Sequence, residues 1–327
     1  MSGERAGAAN AFNSSIVVSP IVIKTCVRTF IRRLSGEFLA KIAAEIERAL
    51  ARRAAEGRGA STSARRLAHG AGWAVEDVMC TAGPRDRTFE EEHARVNIAI
   101  VAGGTFQYRS RAGRELMTPG SVLLGNPGEC FECGHEHGAG DRCISFGYSP
   151  EYFERIAADA GARRVEFGTG RLPAIAPLSG VVARACAGLN REGASWEELS
   201  LQMAARAVQV AQDVAPSVEA PAGAVARVTR IVRRIEREPD AELTIERLAE
   251  EARLSPYHFL RVFEAIAGVT PHQYIRRMRL RDAAARLAAS RMKISDVALD
   301  CGFGDVSNFN RAFRGEFGMS PRQWMRR

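Results

Sequence analysis

No apolar run in this chain approaches the roughly 18 to 20 residues that a helix needs to cross a bilayer. The stretch from Ser15 to Ile23 is apolar, but it lacks a basic start and carries Pro20, which argues against a secretory signal. Lysine is nearly missing, at positions 24, 41 and 293 only, so arginine supplies almost all of the positive charge. The seven cysteines are unevenly spaced in a chain of 327 residues, which is no disulfide framework. These absences point to the cytoplasm and to no membrane partner.

What is present suits a soluble protein of about two domains, with 46% hydrophobic and 26% charged residues. The formal net charge of +8 is unevenly spread: residues 224–327 hold 20 Arg or Lys against 13 Asp or Glu, and residues 72–223 hold 14 against 20. Residues 1–71 hold 12 against 5. A basic C-terminal block behind an acidic middle suggests a polyanion-binding module joined to something that is not one.

In residues 1–71, Phe30, Ile31, Leu34, Phe38, Ile42, Ile46 and Leu50 recur at helical spacing and predict an amphipathic helix over about Thr29 to Ala54. Arg58 to Ser63 reads as a flexible break. The segment is expected to be an N-terminal extension, or else a docking or dimerising helix. Residues 72–214 begin with short alternating strands, such as Val96–Ile100, Thr105–Tyr108, Val122–Leu124 and Ile144–Tyr148, divided by Gly and Pro. That texture indicates an antiparallel sandwich or small barrel. Ser149-Pro150-Glu151 opens a helix to about Ala160, and Trp196, Leu199, Met203, Ala207 and Val210 form a helical stripe further on. Residues 215–223 read as a linker, and only helices are expected after it.

The C-terminal block repeats itself. Ile245–Ala249 returns as Ile294–Ala298 at an offset of 49, and Phe259–Phe263 returns as Phe309–Phe313 at an offset of 50. Gly268-Val269-Thr270-Pro271 returns as Gly318-Met319-Ser320-Pro321, so one supersecondary unit occurs twice. In each copy a short helix ends in a tight turn and a second helix follows, with Ser255 or Asp305 as its cap, which is a helix-turn-helix. The two units span residues 245–265 and 294–315. Phe259, Phe263, Phe309 and Phe313 should be core. Tyr257, Leu260 and Arg261, with Val306, Ser307, Asn310 and Arg311, fall largely off that face and are free to meet a DNA groove, where Arg pairs with guanine and Asn with adenine. Arg276, Arg277, Arg279 and Arg281, on a helix bridging the units, are expected to meet phosphates.

The other dense cluster is Cys130, Cys133, His135, His137 and Cys143. Thiolate and imidazole suit Zn or another soft metal, and thiols near His could equally sense oxidants. Side chains alternate along a strand, however, so not all five can converge.

Residues 224–327 resemble the DNA-binding domain of the AraC/XylS family of bacterial transcription regulators. Ile294, Ala298, Gly302, Phe303, Phe309, Arg311, Phe313, Gly318, Ser320 and Pro321 match the family signature, and Arg314 stands where it usually has Lys. The middle of the chain is similar to the cupin-like barrel that many members carry, with Pro119-Gly120 in the usual turn. The resemblance implies an α+β chain of two domains: a cupin-like β-barrel sensing and dimerising domain (72–214), then an all-α double helix-turn-helix (224–327). It implies base contacts from the seven groove-facing residues named above, with promoter DNA and, for an activator, RNA polymerase as partners. A small-molecule, metal or redox effector and a second copy of the chain complete the implied partners, and no catalytic residue is assigned. The alternative is a metal- or thiol-dependent cupin-type enzyme fused to a DNA-binding domain, although only His93 lies on the earlier strands.

Overall fold

A computed structural model describes residues 38–190, 193–214, 220–289 and 292–326. The expected helix positions Phe30, Ile31 and Leu34 lie outside these residues, as do residues 215–219 of the linker. The helix itself is α1 (Phe38–Glu56), which buries Ile42, Ile46 and Ala49. The expected break after it is instead followed at once by β1 (Thr62–Gly70), paired along its length with β2 (Trp73–Cys80). Residues 38–71 are therefore part of the sheet domain. Leu67 and Ala68 pack against the core, while most of β1 is exposed, which is why alternation did not announce an edge strand.

The strands continue with β3 (Phe89–Glu92), β4 (Val96–Gly104), β5 (Phe106–Ser110), β6 (Gly113–Met117), β7 (Val122–Gly125), β8 (Cys130–Gly134), β9 (Asp141–Tyr148) and β10 (Arg171–Leu172). They form two antiparallel sheets rather than one closed barrel, in the orders β1-β2-β9-β4-β7-β10 and β3-β8-β5-β6. The six-stranded sheet is covered on both faces. Ile98, Ile100, Ile144 and Phe146 face a core shared with helices. Ala99, Val101, Leu123 and Cys143 face Phe106, Tyr108, Met117 and Cys133 of the smaller sheet. Double burial explains why β4 reads as a nearly continuous apolar run.

Three helices close the sheet domain: α2 (Pro150–Asp159), α3 (Ala176–Gly188) and α4 (Trp196–Ala211). Ser149 caps α2 as its sequence predicts, accepting from the Tyr152 amide. The α4 stripe buries Trp196, Leu199, Met203 and Ala207 within the chain. Arg142 on β9 ties α1 to the sheet, donating a fork to Asp77 at 2.7 and 2.8 Å and a further bond to Glu45 of α1. Burial alone would raise the Asp77 carboxyl, but the bonds and charges of Arg142 and Arg65 hold it below the usual range.

The helical block comprises α5 (Ala222–Arg237), α6 (Ile245–Ala252), α7 (Pro256–Ala267), α8 (Pro271–Ala289), α9 (Ile294–Asp300), α10 (Val306–Phe317) and α11 (Pro321–Trp324). The repeated residues are its punctuation. Gly268 and Gly318 end α7 and α10 at φ 73° and 71°, a left-handed conformation glycine adopts without cost. Thr270 with Gln273, and Ser320 with Gln323, then cap the next helix reciprocally. Tyr274 and Trp324 are buried just beyond. The first helix-turn-helix shares one apolar core with the sheet domain. The second has its own, built on Phe303, Phe309, Phe313, Phe317 and Trp324, to which α3 contributes Ala183.

Candidate nucleic-acid interface

The second helix of each unit is positioned by its caps and its phenylalanines. Ser255 accepts from the His258 amide and Asp305 from the Asn308 amide, each closing the first turn. Phe259, Phe263, Phe309 and Phe313 are at most 1% exposed, and each contributes on the order of 1.5–3 kcal/mol by burial. Phe259 meets Phe263 edge to face, and Phe309 stands the same way to Phe303. These contacts fix which side of α7 and α10 looks outward.

On that outer side lie the expected readers. Tyr257 is 72% exposed. Arg261, Ser307, Asn310 and Arg311 are exposed, and Leu260 and Val306 are half-buried. All seven sit in the first two turns of their helices, the part that a helix-turn-helix presents to base edges in the major groove. Neither Arg261 nor Arg311 has an ion-pair partner among the described residues. The two turns differ in one instructive way. Arg253 ends α6 at φ 56°, where Gly302, its counterpart at an offset of 49, has φ 80°. Gly304 is the residue inserted in the second copy, and its side-chain position is open space.

The expected phosphate cluster requires correction. Arg281 is 5% exposed and donates to the Pro119 carbonyl at 3.2 Å. Arg279 donates to the carbonyls of Pro239, Gly302 and Ala241 at 2.7–2.9 Å, locking the second turn to the loop after α5. Arg277 bonds to Glu316 at 3.0 Å, and Ser179 of α3 donates to the same carboxylate. Arg276 alone keeps substantial exposure, and it lies 3.9 Å from Glu316. Arg277 and Arg279 hold the block together and Arg281 ties it to the sheet domain, because a helix flanked by other elements on most sides has few solvent-facing positions.

Polar contacts join the sheet domain to the helical block, and sequence reasoning found none of them. Glu236 of α5 accepts from the Gly104 amide at 2.8 Å. Arg233 donates to Thr105 Oγ1 and to the carbonyls of Ala139 and Gly140. Arg171, buried between the domains, donates to the carbonyls of Leu116 and Ile266 at 2.9 and 2.7 Å.

The cysteine–histidine segment divides as strand parity requires. Cys130 and Cys133 stand three apart on β8, so they face opposite ways, one exposed and one buried. Burial, reinforced by the Asp141 charge, pushes the Cys133 and Cys143 thiols well above their ordinary range. Such thiols stay protonated and are poor nucleophiles, which corrects the expectation of low-pKa sensing thiols there. His135 Nε2 lies 2.6 Å from Asp141 Oδ1, and His137 stands apart beside Glu136. His93 is buried with its Nε2 2.9 Å from the Tyr108 hydroxyl and its ring stacked on Phe131.

Residues 248–327 match the helix-turn-helix domain model and residues 81–205 the AraC-like ligand-binding domain model. Over 91 residues the chain is 41% identical to the probable transcriptional regulator LumQ of Photobacterium leiognathi, covering 28% of this chain and 36% of that one. Over 101 residues it is 38% identical to the XylDLEGF operon transcriptional activator 1 of Pseudomonas putida, covering 30% of each. The HTH-type transcriptional activator RhaR of Escherichia coli is 30% identical over 104 residues, 32% of this chain and 37% of that one. The chain thus spans about a third of the length of these curated relatives. With a ligand-binding domain and a duplicated helix-turn-helix in this order, the chain belongs to the AraC/XylS family.

Proposed function

We propose that this protein is a sequence-specific DNA-binding transcription regulator whose sheet domain responds to an effector. The observation that carries the reading is the pair of capped helices, α7 and α10, each with an exposed polar face over a buried aromatic one. Tyr257, Leu260 and Arg261 read one major-groove face, and Val306, Ser307, Asn310 and Arg311 read another. The surplus of arginine in residues 224–327 supplies salt-dependent affinity for the phosphates. An effector shifts the equilibrium between states that present both helices to DNA and states that do not. Relatives named as transcriptional activators favour action at a promoter through RNA polymerase. A cytoplasmic site of action and pairing of two chains on DNA belong to the same proposal. No helix among the described residues is long and apolar enough to cross a membrane. The cupin-type enzyme alternative finds no counterpart among these relatives.

A gel shift with DNA upstream of the protein's own gene and its neighbours tests the reading. The expected result is a retarded complex that unrelated DNA of equal length does not compete away. Arg311→Ala should weaken that complex by about 1–3 kcal/mol, roughly 5- to 150-fold, and relax preference at one base pair. Equal loss on all sequences would assign Arg311 to a phosphate instead.

A further inference from the structure

We propose that Cys80, His135 and Asp141 form a binding site for a zinc-class divalent cation, coupled to the helical block through Arg233. The register of the sheets builds the site. Cys80 on β2 is the direct cross-strand partner of Asp141 on β9, so both point to the same face. Cys143, two residues on, shares that face and packs between the two sheets. His135 immediately follows β8 of the opposite sheet, two residues after the buried Cys133.

A sulfur, an imidazole nitrogen and a carboxylate oxygen from the three residues lie within 4.8 Å of one another, and all three residues are buried. A tetrahedral ion with bonds of about 2.0–2.3 Å holds such ligand atoms roughly 3.3–3.6 Å apart, so the widest separation closes by about 1.5 Å at most, while His135 Nε2 and Asp141 Oδ1, 2.6 Å apart, open to admit it. His135 has a side chain only 1% exposed, and its Nδ1 has no hydrogen-bond partner among the described residues. That leaves a dry imidazole with unused ligating capacity. The donor set also selects the ion. One thiolate, one imidazole and one carboxylate suit zinc, whereas magnesium and calcium want oxygen alone. A dication held by the Cys80 thiolate, the Asp141 carboxylate and a neutral His135 carries no net charge, which a buried site requires. Binding releases the Cys80 thiol proton to solvent. Cys143, whose Sγ is 3.4 Å from Asp141 Oδ2, stands beside the fourth position.

The coupling lies in the loop that joins His135 to Asp141. Arg233 of α5 donates to the carbonyls of Ala139 and Gly140 in that loop, at 2.9 and 3.3 Å, and to Thr105 Oγ1 at 3.0 Å. A Cβ at Gly138 would lie 2.4 Å from the Arg233 Nε, so the guanidinium rests directly on the loop. An ion that takes the place of the His135–Asp141 hydrogen bond parts these two side chains and so reshapes the loop that α5 grips. Only this coupling rests on the DNA-binding reading; the metal site stands without it.

The test uses the full chain, stripped with a chelator and titrated with cobalt(II) as a spectroscopic stand-in for zinc. The expected result is a thiolate-to-cobalt charge-transfer band that saturates at one equivalent and is bleached by zinc. Cys80→Ser should abolish the band and His135→Gln should weaken binding about 100-fold, while Cys130→Ser, at the exposed cysteine, leaves both unchanged. Should the buried variants fail to fold, thermal unfolding of the wild-type chain decides, since zinc must raise the Tm and magnesium must not. Absence of both the band and the zinc-dependent Tm rise overturns the site, whatever the DNA result. For the coupling, zinc should change wild-type affinity for the retarded DNA at least about fivefold, and Arg233→Ala should erase that change while still binding cobalt. Zinc binding with unchanged DNA affinity overturns the coupling and leaves the site standing.

Discussion

Replacing Arg279 with alanine separates two roles that an arginine on a basic helix can have. Its guanidinium donates three bonds, to the carbonyls of Pro239, Ala241 and Gly302, all within 2.9 Å. A bond from a charged donor contributes about 1.5–3 kcal/mol net, less where water reaches the abandoned carbonyl. The freed rotamers of the long side chain return up to about 2 kcal/mol. Arg279 is half-buried, so water replaces part of the loss, and a net destabilisation of about 2–4 kcal/mol is expected. Urea unfolding followed by circular dichroism measures it directly. Arg279→Lys should recover less than half of the loss, because an ammonium cannot span three carbonyls at a fork's spacing. A phosphate contact would behave differently: stability would change little, and the slope of log affinity against log salt would fall by about 0.9. Stability within about 0.5 kcal/mol of wild type, together with that fall in slope, would refute the structural role.

His93 should make the protein acid-sensitive. Burial pushes its imidazole down to about 4, from an ordinary value near 6.5. The unfolded chain therefore binds the proton first, and stability is lost as pH falls from about 6.5 and levels off near 4. The full loss is on the order of 3 kcal/mol at about 1.4 kcal/mol per pH unit. Urea midpoints at pH 7.5 and pH 4.5 should differ less in His93→Gln than in wild type, and equal losses would clear His93 of the effect. Arg253→Gly should stabilise the chain by up to about 1 kcal/mol, because glycine adopts the left-handed turn at φ 56° without strain. A lower urea midpoint in that variant would place the energy of Arg253 in side-chain contacts instead.

The helix-turn-helix units were legible because their signal is local: caps, end glycines and phenylalanines four apart lie within one or two turns of what they determine. The roles of Arg279 and Arg281 were not, since their carbonyl partners lie about 20 to 160 residues away and no periodicity encodes them. Strand parity warned that the five cysteines and histidines could not all converge, and it could also have parted Cys130 from Cys133 and grouped Asp141 with Cys143. Finding Cys80 beside Asp141 required the β2–β9 register, which the sequence leaves open. The edge strand β1 escaped notice because its polar, exposed residues resemble a loop.

Helix α1 lies in the seam between the modules. Ile42 and Ile46 seat against the backbone at Gly103 and Gly140, where an added Cβ would come within 2.6 Å of either side chain. The same two isoleucines belong to the apolar cluster that includes Val228, Ile231 and Ile235 of α5. Exchange of sensing modules between relatives is therefore not free at the residue 215–223 junction. A recombinant joined there inherits α5 without the helix that fits it, leaving an apolar strip open to water. Lineages that shuffle these parts must move α1 and the outer face of α5 as a matched pair, although residues 57–221 of the chain separate them.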